Sequence, residues 1–209
     1  KDARIRAVFR DQNGHISAAS NSALGLATGE YIALLDHDDK LHPLSLFFAA
    51  EEINRAPESE VIYSDEDKLT RNGIRISPYF KSDFDYELLL GQNMVSHIGV
   101  YRTKTVRQVG GFRIGFEGSQ DYDLLLRVIE KINPQQIRHI PRVLYHWRIS
   151  KQSVAISADV KPYAAQSATR ALSEHLENQN IQASVESFRN FGYKINYDIS
   201  EPAPTVELF

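Results

Sequence analysis

Apolar and polar positions alternate along this chain in two rhythms. Short β-type runs, "RIRAVF" (4–9), "YIALL" (31–35) and "VIY" (61–63), are separated by helical patterns at about Ile16–Ala27 and Pro43–Asn54. That order predicts an α/β fold with a largely parallel sheet. Proline in the first turn at Pro43 suits a helix start, and "QNG" (12–14) marks a tight turn. Residues 64–91 are more polar and read as loop-rich with one short helix. "HIGVYR" (97–102) reads as a strand, and a helix follows over Gln120–Ile132 with Ser119 as N-cap. "IRHIP" and "RVLYHWRI" read as two strands with a turn at Pro141. After a polar link (150–161), residues 162–178 form an amphipathic helix with Ala164, Ala168, Ala171, Leu172 and Leu176 on one stripe. "ISEPAPTVELF" reads as a proline-broken linker entering a new strand.

Composition narrows the function classes. A chain of 209 residues can bury a proper core. Its net charge of −3 presents no basic face for nucleic acid. Without cysteine it has no disulfide framework or thiolate metal site. No apolar run reaches the roughly 18 residues of a membrane span. The chain opens at Lys1, so it is expected to be a piece of a longer protein.

The chemistry concentrates where strands end. "YIALL" runs directly into Asp36, Asp38 and Asp39. In open α/β sheets, ligands sit beyond the carboxyl ends of strands. Clustered carboxylates need a positive partner, and hard oxygen ligands suit Mg²⁺ or Mn²⁺. A solvated turn, with Asp39 helping to cap the next helix, is the plainer alternative. Farther on, Asp121 lies on the same helical side as Leu125 and Val128. It either complements the helix dipole or points into a cleft. Asp123 aligns with Arg127 as a surface pair. In "VLYHWR", His146 and Arg148 share a face opposite Tyr145 and Trp147, aimed together at a ligand or held structurally. "YSDEDK" (63–68), with Asp65, reads better as a solvated charged loop than as a site. Asn13 and Asn21 either support a ligand or serve as turn and packing residues.

Three stretches in order, "NGHISAASNSALGLATGEYIALLDHDDKLHP", "FEGSQDYDLLLRV" and "RVLYHWR", resemble the family-2 glycosyltransferases of the GT-A fold, over roughly residues 4–150. The resemblance implies a Rossmann-like α/β fold with a mixed, mainly parallel sheet flanked by helices. It implies transfer of a sugar from a nucleoside diphosphate (UDP- or dTDP-linked) to a glycan or lipid-linked hydroxyl, with inversion. Asp38 would be the direct metal ligand and Asp36 would face the ribose or a metal-bound water. Asp39 would orient its neighbours, Asp121 would be the general base, and His146 a third ligand. Arg148 would meet the diphosphate, and Asp65 would lie near the metal and acceptor. Gln120 stands where the family usually has glutamate.

The opening "P-x-Y-N"-like strand and an acidic "D-D-x-S" segment are not found. That is about two βα units, on the order of 60 residues. The expected organisation is a transferase core (1–161) without those units, a helix-and-strand extension (162–198), and a linker opening a following domain (199–209). The expected setting is the cytoplasm at the inner face of the membrane, in polysaccharide or O-antigen assembly. Two other classes stay open: a degenerate, non-catalytic module that scaffolds or binds glycan, and a sugar-1-phosphate nucleotidyltransferase.

Overall fold

The computed structural model describes residues 2–149, 162–188, 192–199, 205 and 207. In chain order the elements are α1 (His15–Leu26), β1 (Tyr31–Ala33), β2 (Lys40–Leu41), α2 (Ser45–Arg55), β3 (Val61–Leu69), β4 (Arg75–Tyr79) and α3 (Tyr86–Gly91). Then come β5 (Gly99–Arg102), α4 (Thr103–Gln108), α5 (Gln120–Ile129), a 3₁₀ turn (Pro134–Gln136), β6 (Ile137–Arg148), α6 (Pro162–Asn178), β7 (Ala183–Phe188) and β8 (Gly192–Tyr197).

The main sheet runs β1-β5-β3-β6-β2, with β4 added to β3, and β7-β8 form a separate hairpin. It is the expected mixed sheet with flanking helices, but the balance of its pairings differs. β3 and β6 pair in parallel, while β1–β5, β3–β5, β3–β4 and β2–β6 are antiparallel. The reason is the position of β5. β1, β3 and β6 point the same way, but β5 inserts antiparallel between β1 and β3 and turns one parallel contact into two antiparallel ones.

Both faces of the central strands are covered, which is why "VIY" is apolar without interruption. Val61 and Tyr63 face α5 and α6, packing in one cluster with Leu124, Leu125, Val128, Ala168 and Leu172. Ile62 faces the other way, with Ala49 of α2, Val100, Leu144 and Tyr145. This alternation is the pleat of a strand buried on both sides. The α6 stripe read from sequence is buried as expected. Ser119 stands at the N-cap of α5, but its hydroxyl donates to Ala164 O at 2.8 Å and ties α5 to α6 instead of capping.

Four local expectations are corrected. "RIRAVF" is not a strand: Ile5 and Phe9 are 77% and 93% exposed, and among the described residues the run has neither a ladder partner nor cover. "YSDEDK" is not a solvated loop but the continuation of β3, with Asp65, Glu66 and Asp67 buried. Burial of three acids is tolerable because each is paired. His139 bonds Asp65 at 2.8 Å, Lys81 bonds Glu66 at 3.1 Å, and His146 and Arg75 bond Asp67. "IRHIP" and "RVLYHWRI" form one strand rather than two. The register against β3 steps from Ile140 to Val143, so Pro141 and Arg142 form a bulge where a residue lacking N–H does least harm. Asp123 is not at the surface; it is 1% exposed beneath Arg113 and Arg127. The expected link (150–161) and most of 199–209 lie outside the described residues.

Candidate active site

The acidic turn gets its place from one short pairing. β2 pairs antiparallel with the end of β6, with Lys40 opposite His146 and Leu41 opposite Tyr145. This carries residues 36–39 onto the last residues of β6. The turn closes through Asp39 N to Asp36 O at 3.2 Å. Asp39 is then gripped at both oxygens: Tyr145 Oη donates to Oδ2 at 2.5 Å and the Arg148 amide donates to Oδ1 at 2.7 Å. Tyr145 Oη also accepts from Asp36 N at 3.3 Å. Asp39 therefore anchors the turn to the sheet and does not cap α2, whose N-cap is Leu44.

The alternation along β6 is as read, but the face that reaches the turn is the other one. Tyr145, not His146, touches the aspartates. His146 is buried with its Nδ1 2.6 Å from Asp67. The Arg148 side chain is exposed, and the amide is what meets Asp39.

The imidazole at the turn is His97, which sequence reasoning passed over. Asp36, Asp39 and His97 each offer one ligand atom, all within 4.8 Å of one another. The His97 ring stacks on Tyr145 (4.6 Å, 18°) and tilts against Trp147 (5.6 Å). Asp38 is outside this group, half-exposed and 3.9 Å from His37. Asp36 is exposed at its rim, yet desolvation by its neighbours raises its pKa, as do the nearby carboxylates of Asp121 and Asp38, against the lowering effect of His97. Burial also raises Asp39, against the opposing hydrogen bonds from Tyr145 and Arg148. Two carboxylates pushed toward neutrality in one place are a site that a cation would stabilise.

Asp121 starts α5 and faces the same region, close enough to act electrostatically on both Asp36 and His97. Asn93 Nδ2 donates to Asp121 Oδ2 at 2.8 Å, while Asn93 Oδ1 accepts from Ser96 N at 3.1 Å. The segment between α3 and β5 thus carries both the residue that orients Asp121 and the histidine of the turn. Among the described residues Asp121 Oδ1 accepts no hydrogen bond.

The remaining expected residues do other things. Gln120 Oε1 accepts from Gly118 N at 2.8 Å and shapes the turn before α5. Asn13 Oδ1 accepts from His15 N at 2.9 Å at the start of α1. Asn21 clamps Phe112, donating to its carbonyl at 2.7 Å and accepting from its amide at 2.8 Å. Asp65 accepts from Lys81 N at 2.9 Å besides its contact with His139.

Glu66 lies directly behind His97. Burial alone would raise its pKa, but the His97 imidazole and Lys81 outweigh that and lower it to about 2. A depressed carboxylate stabilises the fold above its ordinary value near 4.5, and that contribution is lost as pH falls toward 2. Urea unfolding at pH 6 and pH 3 should therefore show the gap between the wild type and Glu66→Gln, on the order of 3 kcal/mol, closing as the pH is lowered.

The family model for glycosyl transferase family 2 matches residues 1–110, more than half of the chain. The chain belongs to glycosyl transferase family 2. Among curated relatives, the uncharacterized protein y4gI of Sinorhizobium fredii is 52% identical over 176 residues, 84% of this chain and 19% of that protein. The O-antigen biosynthesis protein RfbC of Myxococcus xanthus is 35% identical over 199 residues, 95% of this chain and 16% of that protein. The family 2 chain thus spans less than a fifth of the length of these relatives. Its fold is similar to that of the mannosyltransferase PcManGT from Pyrobaculum calidifontis, solved in complex with GDP-Man and Mn²⁺. That match has a TM-score of 0.56 at 15% identity and covers 81% of this chain and 46% of that one. The likeness establishes the GT-A architecture of this family 2 member. No helix among its described residues is long and apolar enough to cross a membrane.

Proposed function

We propose that this chain is the GT-A core of an inverting transferase. It moves a sugar from a nucleoside diphosphate, UDP- or dTDP-linked, to a hydroxyl of a growing glycan or lipid-linked acceptor. The observation that carries this reading is the convergence of Asp121, oriented by Asn93, on the cluster of Asp36, Asp39 and His97. Asp121 accepts the acceptor proton as the hydroxyl oxygen attacks the anomeric carbon. The bond to the diphosphate breaks with its electron pair on the leaving oxygen, and a single displacement inverts the centre.

Two carboxylates and one imidazole are a donor set that fits Mn²⁺ or Mg²⁺. A divalent cation held there supplies Lewis-acid stabilisation of the departing diphosphate. Asp36 and Asp39 are the carboxylates in place and His97 takes the part expected of His146. Asp38, on the same turn, acts electrostatically on Asp36. Similarity to RfbC supports glycan assembly as the setting, which we assign to the cytoplasmic face of the membrane. We assign residues 1–161 to the core, 162–198 to its extension and 199–209 to a junction with further sequence.

The test is to follow donor turnover in the protein that carries this chain, with UDP- and dTDP-sugars and Mn²⁺. Acceptor-dependent release of nucleoside diphosphate supports the proposal. Release of inorganic diphosphate would indicate nucleotidyl transfer instead, and no turnover with any donor would favour a binding module.

A further inference from the structure

The segment between α3 and β5 is short, and both halves of the proposed chemistry hang from it: Asn93 on the base and His97 at the acidic turn. What fixes it is a buried ion pair. The Lys81 side chain is fully buried, and its ammonium makes three hydrogen bonds, matching its three protons. It donates to Glu66 Oε2 at 3.1 Å, to Val95 O at 2.7 Å and to His97 O at 2.6 Å. Glu66 Oε2 in turn accepts from His97 N at 3.0 Å. His97 is therefore held at both ends of its backbone, its carbonyl by Lys81 and its amide by Glu66. Val95 is held between Asn93 and His97. The same carboxylate oxygen lies 3.4 Å from His97 Nδ1, so the pair also constrains the ring.

Such an arrangement is expensive as a stability device. Two buried ions lose hydration that their attraction rarely returns in full. A lysine that only filled space here would be better replaced by methionine. Two of its three bonds go to the backbone of the segment that bears His97, and the third goes to the carboxylate that holds the His97 amide.

We propose that Lys81, paired with Glu66, is a positioning residue that presents His97 to the acidic turn and Asn93 to Asp121, coupling cation binding to the orientation of the base. This rests on the functional reading above. It adds that the geometry of both halves depends on one buried ammonium that touches neither substrate nor cation. Outer residues that orient metal ligands commonly contribute about 10–100-fold in affinity, and that is the scale expected here.

The experiment uses Lys81→Met, Lys81→Arg and Glu66→Gln in the protein that carries this chain. Two readouts do not need turnover: hydrogen exchange at the amides of residues 93–98, and Mn²⁺ binding followed by the loss of its free-ion electron paramagnetic resonance signal. In folded Lys81→Met, exchange at 93–98 should accelerate while that of α5 and β3 stays unchanged. Mn²⁺ affinity should fall about tenfold. Where transfer is measurable, kcat should fall more than KM rises, with partial rescue by Lys81→Arg. Unchanged exchange and unchanged affinity in a folded Lys81→Met overturn the proposal. If that variant does not fold, Glu66→Gln decides by the same two readouts, because it keeps an acceptor in place while removing the charge. If the wild type itself binds no Mn²⁺, the cation reading fails separately, and the exchange data alone decide whether Lys81 holds the segment.

Discussion

Asp121→Asn should reduce kcat about 100- to 10,000-fold while leaving the fold intact. The substitution is isosteric. Its amide oxygen can still accept from Asn93, so the segment between α3 and β5 is not released. What is lost is the capacity to take a proton. A base that acts as the hydroxyl attacks contributes mainly in the transition state, so the loss belongs in kcat with little change in donor KM. Transfer kinetics beside a urea unfolding curve would check both halves. A variant with near-normal kcat would remove Asp121 from its role.

Two residues farther along α5, removing a carboxylate should do the opposite. Asp123 is 1% exposed, and its carboxylate takes Arg113 Nε at 2.9 Å and Arg127 Nη2 at 2.7 Å, with a further close contact to Arg113 Nη2. Removing one member of a buried charge network typically costs 3–5 kcal/mol, about 3 kcal/mol being expected here. The lower end applies because the arginines keep other partners. Arg113 retains Glu174, and Arg127 retains the carbonyls of Val109 and Gly111. Asp123→Ala should therefore unfold at markedly lower urea, yet per folded molecule remain far more active than Asp121→Asn. Equal unfolding midpoints for Asp123→Ala and the wild type would contradict this account of α5.

These neighbours show what the sequence could and could not disclose. The helical period distinguished Asp121 from Asp123 but assigned the second to the surface. Arg113, the partner that buries it, comes from a loop that no periodicity describes. The acidic turn stood out because an apolar run ending in three aspartates concentrates like charge at a sheet end. His146 and His97 were exchanged for a different reason. Alternation along β6 states which residues share a face, while the β2–β6 pairing decides which face meets the turn. His97 became readable only once β5 was known to run antiparallel. The start of β5 then lies at the same sheet end as the finish of β1 and β3, where ligands gather. The buried acids of β3 looked like solvated charge because their hydrogen-bond partners Lys81, His139 and His146 are distant in sequence.

The central claim is that Asp36, Asp39 and His97 form a divalent-cation site facing Asp121. The most direct measurement is an Mn²⁺ titration by electron paramagnetic resonance, with and without UDP or dTDP, on the wild type, Asp36→Ala and His97→Ala. The account predicts wild-type binding that strengthens with nucleotide and weakens at least about tenfold in each variant. Wild-type binding unchanged by both substitutions, or no binding even with nucleotide present, would contradict it.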